Sequence, residues 1–333
     1  TNTNTSIGLA SAGTGDIGSF SVVNTSTSAQ SATITVTPTY TNNGVICSGN
    51  SEQFTITVNP SAQVNDVTNY NTILCDGEFT PVYSFTTANT DGLTSFNWTN
   101  NNVAIGLAAS GVGGIPSFQV TNSTQSTISA TITVTPSYEN NGIICDGNAE
   151  TFTIMVNPSP EMDIVDDIVL CNNEISTIIE FTTPNTDGNT TYTWTNDNTS
   201  IGLSSSGNGD IPSFTAINLN PITEVATITV TPTYENNGVV CIGDPQTFSI
   251  SVLSEIGISG STVDALDCND PNSGDINITV TGGSGVYDFL WSNGAITEDL
   301  NNIGPGDYSV TVTDSEGCIA ISETFNIFRQ EDL

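Results

Sequence analysis

TITVTPSYENNGIICDGNAETFTIMVNP, from Thr131 to Pro158, is a stretch that the chain repeats. It stands as TITVTPTYTNNGVICSGNSEQFTITVNP from Thr33 to Pro60 and as TITVTPTYENNGVVCIGDPQTFSISVL from Thr227 to Leu253. The spacing of the copies is that of one small domain, not of a solenoid turn. Within each copy, apolar residues alternate with threonine (Ile132 and Val134 among Thr131, Thr133 and Thr135), which is the two-residue period of a half-buried strand. Asn140-Asn141-Gly142 supplies residues that tolerate positive φ, and Phe152, Ile154 and Val156 restore the alternation on the way back. Pro158 ends it, because proline has no N–H for a sheet ladder. The stretch therefore predicts a β-hairpin, three times over.

Composition points the same way. Strand segments are built from Thr, Ile, Val and Phe, and loops from Asn, Gly, Ser and Asp, so the fold class is all-β. The 333 residues carry one basic side chain, Arg329, against 35 acidic ones, for a net charge of −34. Such a chain lacks the clustered Lys and Arg that nucleic acid requires, and anionic membrane surfaces repel it. Strong charge of one sign often accompanies disorder, but 36% apolar residues in strict alternation argues for folded domains. The sequence has no 18-residue apolar run that would insert into a membrane.

Working outward from the hairpins gives five segments. Residues 1–60 match the second part of a repeat: Ile7-Gly8-Leu9 corresponds to Ile105-Gly106-Leu107 and to Ile201-Gly202-Leu203. This segment is expected to be the C-terminal part of a truncated repeat. Residues 61–158 and 159–253 are full repeats, sharing FTTANTDGLTSFNWTN (Phe85 to Asn100) and FTTPNTDGNTTYTWTN (Phe181 to Asn196). Short proline-bearing junctions join them, as semi-rigid linkers do. Residues 254–328 form a different, shorter unit with alternating strands around Ile276 to Val280 and Tyr308 to Val312, and residues 329–333 read as the start of a further domain.

Seven cysteines follow the same plan. Partition by domain pairs Cys75 with Cys145, Cys171 with Cys241 and Cys268 with Cys318, leaving Cys47 to a partner upstream. The alternative pairs across junctions: Cys47–Cys75, Cys145–Cys171 and Cys241–Cys268. Partition is the expectation, since each domain must fold by itself, and each closed loop would contribute about 4 kcal/mol. Structural disulfides imply an oxidising, extracytoplasmic location. Trp98, Trp194 and Trp291 each follow the first cysteine of their domain at a constant distance, and they are expected to be core residues. Immunoglobulin-type sandwiches pack such a tryptophan against their disulfide.

The last full unit resembles the SprB repeat of gliding-motility adhesins from Bacteroidota. The motifs are Cys268-Asn269, GGSGVYDFLWSNG from Gly282 to Gly294, GDYSVTVTD from Gly306 to Asp314, and Gly317-Cys318. The longer repeats resemble the PKD-like, immunoglobulin-related domains of the same surface proteins, with Trp-Thr-Asn at Trp98 and Trp194 in place of the usual core motif. The resemblance implies tandem immunoglobulin-like or PKD-like β-sandwich domains in an extended array. It further implies a non-catalytic stalk of a very large cell-surface adhesin that is exported by type IX secretion and moved by the gliding machinery. The neighbouring repeats of the same chain would be its immediate partners, and an external surface or polysaccharide its ligand.

Other chemistries have thinner support. With no His or Lys, and with cysteines committed to disulfides, most nucleophilic and acid–base constellations are unavailable. Paired carboxylates remain, but Asp91 recurs as Asp187 and Glu139 as Glu235, which suggests turn chemistry and not a single catalytic site. Calcium is the cofactor alternative: Glu161, Asp163, Asp166 and Asp167 crowd one junction, and Asp264, Asp267 and Asp270 another. The favoured reading of both clusters is a solvated acidic surface. A carbohydrate-binding module is the remaining alternative, although the three tryptophans are assigned to cores.

Overall fold

The computed structural model describes residues 1–266 and 270–329. Among these, regular structure is β-strand, with four single turns of 3-10 helix and no α-helix. The chain is a series of β-sandwich-type domains. It separates into two compact units: Thr1–Ser159 with Thr186–Gly188 and Glu235–Cys241, and Pro160–Asn185 with Asn189–Tyr234 and Ile242–Leu333.

The second repeat shows the plan. Its sheet runs in the order Thr72–Cys75, Glu150–Asn157, Ile128–Asn140, Leu93–Asn100, Ser110–Val112. The long strand Ile128–Asn140 pairs first with Glu150–Asn157 and, further along, with the hairpin partner Ile143–Asp146. Asn141 (φ 48°) and Gly142 (φ 75°) make the connection, a two-residue turn whose twist matches that of the strands. Alternation sends Ala130, Ile132 and Val134 into the core at 0% exposure. Burying a valine or isoleucine in this way stabilises the fold by about 1.5–3 kcal/mol, and the alanine by less. They pack with Trp98, Tyr83, Phe152 and Ile154. Pairs are antiparallel except at the edge, where Thr72–Cys75 runs parallel to Glu150–Asn157. The facing layer is not a regular sheet; it is held by single bridges, Phe79 to Gln119 and Tyr83 to Ile115. The third repeat copies every feature, including the parallel edge strand Ile168–Leu170 and the bridges Ile175 to Thr215 and Ile179 to Ile211.

A short motif fixes the turn after Leu93–Asn100. Asn102 accepts the Ala104 N–H (3.1 Å) and caps the turn Val103–Ile105, which Gly106 closes at φ +90°. A Cβ at Gly106 would lie 2.7 Å from the Gln119 carbonyl oxygen. Asn4 with Gly8 and Asn198 with Gly202 do the same in the other repeats. Replacing Gly106 with alanine should therefore lower stability by about 2 kcal/mol or more, from the left-handed backbone and the clash together. Denaturant melts that leave the midpoint unmoved would contradict this.

Segment 254–329 has two three-stranded sheets, Gly257–Val263, Gly274–Thr281, Leu300–Ile303 and Tyr287–Trp291, Val310–Asp314, Ile319–Ile321. A further pair, Gly306–Tyr308 with Phe325–Ile327, completes it. Trp291 sits at 2% exposure between the sheets, with Nε1 donating to the Thr297 carbonyl (2.8 Å). Arg329 forms a single bridge with Ala265 at the edge of this segment. Beside it the Ala265 N–H donates to the Phe328 carbonyl and the Asp264 carboxylate accepts the Phe328 N–H, both at 3.0 Å.

The tryptophans of the long repeats lie apart from any disulfide. Trp98 and Trp194 pair across strands with Gly111 and Gly207, and each ring covers the glycine opposite it. An aromatic over a cross-strand glycine restores the packing that the glycine lacks. Both are buried, at 6% and 3% exposure.

Stability should be flat between pH 6 and 8, because the chain has no histidine to titrate there. Burial raises the Tyr83 hydroxyl above its ordinary value, and burial followed by the nearby Asp314 charge does the same for Tyr287. Their neutral forms are favoured only in the fold, so stability is present below pH 10 and is lost as pH rises past it. Asp66 and Asp167 are lowered, chiefly by backbone N–H bonds from Thr68 and Ser249, and their contribution is lost as pH falls below about 4. Melting temperature measured against pH checks both ends; a shift between pH 6 and 8 would overturn the account.

Candidate functional site: disulfides that link successive repeats

Among the described residues two disulfides form, Cys75–Cys241 and Cys171–Cys318, each with a Cα separation of 5.6 Å. Both join one repeat to the next, which corrects the expected partition by domain and also excludes the alternative across junctions. The sheet supplies the reason. Cys75 lies opposite Asn157, at the end of the sheet where Val156 meets Ile128. Cys145 lies opposite Tyr138, ten residues further along the same long strand. At about 3.3 Å per residue the two sites are ~33 Å apart along that strand, whereas a disulfide spans about 4.4–6.8 Å between Cα atoms. A bond within the repeat is therefore out of reach. Cys145 and Cys47 are free thiols, the first half-buried and the second exposed. Cys268 lies outside the described residues, so its expected pairing with Cys318 fails on the Cys318 side alone.

Local sequence positions each partner. After the first cysteine, a tight turn passes through Gly77 (φ 82°) or Asn173 (φ 67°), and the glutamate that follows directly folds back. Glu78 accepts the Cys75 N–H and Glu174 the Cys171 N–H, both at 2.8 Å. The C-x-x-Glu spacing at Cys75 and Cys171 is the signal that could have marked these cysteines as a class of their own. The second cysteine comes from a hairpin tip in the long repeats. In the last domain it comes from a turn that Asp314 organises, accepting the Ser284, Glu316 and Cys318 N–H groups at 2.8, 3.0 and 2.8 Å.

Asparagines hold the tip of the third repeat beside the second. Asn157 donates to the Asn236 carbonyl (3.3 Å), Asn236 to Thr127 Oγ1 (2.7 Å), and Thr127 to Asn157 Oδ1 (2.8 Å). The Thr186 N–H reaches the Gln125 carbonyl at 2.8 Å. Between the first and second repeats the same contacts recur. Asn59 donates to the Asn140 carbonyl (3.3 Å), Asn140 to Asn59 Oδ1 (3.1 Å), and the Thr90 N–H to the Thr27 carbonyl (2.8 Å). Sequence reading did not find this role for Asn59, Asn157, Asn140 and Asn236, although their fixed places at the strand end and hairpin tip were visible.

The acidic candidates do not converge. Among the described residues no group of three acidic or other metal-ligating side chains gathers where a cation could sit. Asp163 instead accepts the Thr182 hydroxyl (2.6 Å), Asp167 the Ser249 N–H (2.7 Å), and Asp270 the Asn272 N–H (2.9 Å). Asp264 accepts the Phe328 N–H, and the Glu161 N–H donates to Asn185 Oδ1 (2.7 Å). Turn and edge capping spreads these carboxylates along the surface, and Asp166 is exposed with them. Asp267 lies outside the described residues. Asp91 and Asp187 sit at φ 64° and 66°, in the left-handed turn conformation that Asp tolerates.

The arrangement defines a class: tandem all-β domains in which disulfides tie the second repeat to the third and the third to the last domain. Two disulfides place the chain in an oxidising, extracytoplasmic compartment. Among the described residues no helix is long and apolar enough to cross a membrane. The SprB repeat family matches residues 260–296, within the last domain. No curated protein sequence matches the chain. Among solved structures, mouse cadherin-23 EC22–24 is similar at 12% identity, with a TM-score of 0.33 over 81% of this chain and 99% of that one. Extracellular domains 3–5 of Drosophila OTK are similar at 11% identity, with a TM-score of 0.32 over the same shares, 81% and 99%. Domains EC1–4 of Drosophila N-cadherin give 13% identity and a TM-score of 0.28 over 90% and 83%. These scores fall short of a shared overall arrangement.

Proposed function

We propose that the chain is a load-bearing spacer of a large cell-surface adhesin, displayed by type IX secretion and carried by a gliding machinery. The observation that carries the reading is covalent linkage of successive repeats, in a chain whose last domain matches the SprB repeat. Near-identical domains in series add length without adding chemistry. Bonds between neighbours give tension a covalent route from one domain to the next and limit how far the chain can extend. Its partners on this reading are the neighbouring repeats, the secretion and gliding machinery, and an external surface or polysaccharide bound elsewhere in the adhesin. The net charge of −34 keeps such stalks from adhering to one another.

Deletion of whole repeats from the parent protein, scored for surface display, gliding and attachment, tests this. A graded decline as repeats are removed is the expected result. Complete loss of attachment on removing one particular domain, with display intact, would show a binding site here and overturn the spacer reading.

A further inference from the structure

The second and third repeats differ in the segment that leads into the parallel edge strand. Matched hydrogen bonds fix both ends of that segment. Near its start the Gln63 N–H donates to Asn89 Oδ1 and the Glu161 N–H to Asn185 Oδ1, both at 2.7 Å. At its end Asn71 Oδ1 accepts the Thr153 N–H and Asp167 Oδ1 the Ser249 N–H, at 2.8 and 2.7 Å. Nine residues run from Gln63 to Asn71, but seven from Glu161 to Asp167. The longer segment makes the single turn Thr68–Tyr70, in which Asp66 accepts the Thr68 N–H (2.8 Å). The turn lays the Tyr70 ring on the core, 5.5 Å from Tyr83 and 5.6 Å edge-on from Phe152. Its hydroxyl donates to the Ser84 carbonyl (2.5 Å). In the third repeat Ile164 stands in place of the capping Asp66, no residue corresponds to Tyr70, and Ile179 replaces Tyr83. Beside Phe248, the counterpart of Phe152, lies a recess of about 200 Å³, its mouth included.

Met162, Ile164, Val165, Gln246, Thr247 and Phe248 line the recess. None of them is charged, in a chain of net charge −34, whereas the counterparts of Ile164 and Gln246 in the second repeat are Asp66 and Glu150. Ile164 is 87% exposed, so apolar surface meets solvent at the recess. An apolar cavity of about 150 Å³ is enough to hold a benzene ring. We propose that the recess is a binding site for an uncharged phenolic ring, which takes the place that Tyr70 has in the second repeat. The ring rests against Phe248 and the Met162 thioether, contacts that aromatic rings favour. Its hydroxyl meets the main-chain carbonyl of Glu180, the counterpart of Ser84. An anionic ring is disfavoured, because it would lose water against an apolar lining within a strongly negative chain. The spacer reading does not depend on this site, and a failure to bind would leave that reading untouched.

The chain has two methionines, Met162 in the lining and Met155 in the second repeat, so methyl-labelled methionine supplies a probe and an internal reference. Titration of para-cresol into the full chain should shift the Met162 methyl resonance along a saturating curve and leave Met155 unmoved. The midpoint should fall at about 1 mM, an affinity open to a single ring. The anion para-hydroxybenzoate should bind about tenfold more weakly. Inserting Asn-Tyr between Asp166 and Asp167 restores the length of the second repeat's segment and supplies a ring of its own. That variant should lose the para-cresol shift and melt at a higher temperature. Ile164→Asp, a change at an exposed position, should weaken binding several-fold and leave the melting temperature unchanged. N-acetyltyrosinamide distinguishes the sources of the ring. Tighter binding of the amide than of para-cresol assigns it to a tyrosine of a partner chain, the reverse to a free phenol, and either supports the site. Equal shifts at Met162 and Met155, a shift that never saturates, equal affinity for para-hydroxybenzoate, or undiminished binding in either variant while folded would each overturn the proposal.

Discussion

Pulled from its two ends, the oxidised chain should stop extending at about half the length that it reaches after reduction. The bonds Cys75–Cys241 and Cys171–Cys318 interleave, enclosing loops of 166 and 147 residues that share the segment 171–241. Three stretches of chain then run in parallel between the two bonds: 75–171, 171–241 and 241–318. The shortest sets the limit. Tension is carried by residues 1–75, 171–241 and 318–333, about 160 residues, which at about 3.3–3.6 Å each span roughly 55 nm; reduction frees the rest and takes the limit to about 115 nm. Single-molecule force spectroscopy with and without reductant reads this directly. Equal contour lengths in the two conditions would mean that the bonds do not interleave. Bonding within each repeat would instead give three separate loops in series, each shielding only its own domain.

The second large effect is on stability. Cys75→Ser with Cys241→Ser should lower the unfolding free energy by about 5 kcal/mol, the loop-closure term for 166 residues. Cys171→Ser with Cys318→Ser should cost about the same. Because the loops overlap, each bond closes a loop that the other has already shortened, so removing both should cost somewhat more than the sum of the two single losses measured from the intact chain. Denaturant titration of the three variants checks this. A loss under about 1 kcal/mol for either pair would mean that the bonds add little to folding, and a double loss smaller than the sum of the singles would mean that the loops do not shorten one another.

The hairpins, the turns and the core were legible in the chain itself. Strict alternation around Ile132 and Val134 fixes one face of the long strand, since successive side chains in a strand point to opposite faces. Asn141-Gly142 and its copies at Asn43-Gly44 and Asn237-Gly238 all take positive φ, as their residue types allow. Recurrence of Asp91 as Asp187 pointed to turn chemistry, and both residues take the left-handed φ of a turn. The three tryptophans are buried, Trp98 and Trp194 over a cross-strand glycine and Trp291 in a core that also holds Cys318.

Disulfide partners, the parallel edge strand and the scatter of the acidic clusters were decided by tertiary structure. Cysteine spacing says how many residues separate two thiols, not which end of a sheet each one occupies. Cys75 and Cys145 share a repeat and a constant separation, yet the length of Ile128–Asn140 carries them to opposite ends of one sheet. The nearness of Asp163, Asp166 and Asp167 in sequence likewise gave no cation site, because each side chain takes the surface or backbone neighbour nearest its own turn. Local sequence governs what a few successive residues do. Which of two equivalent cysteines comes within bonding distance depends on where whole strands end, and only the assembled sheets set that.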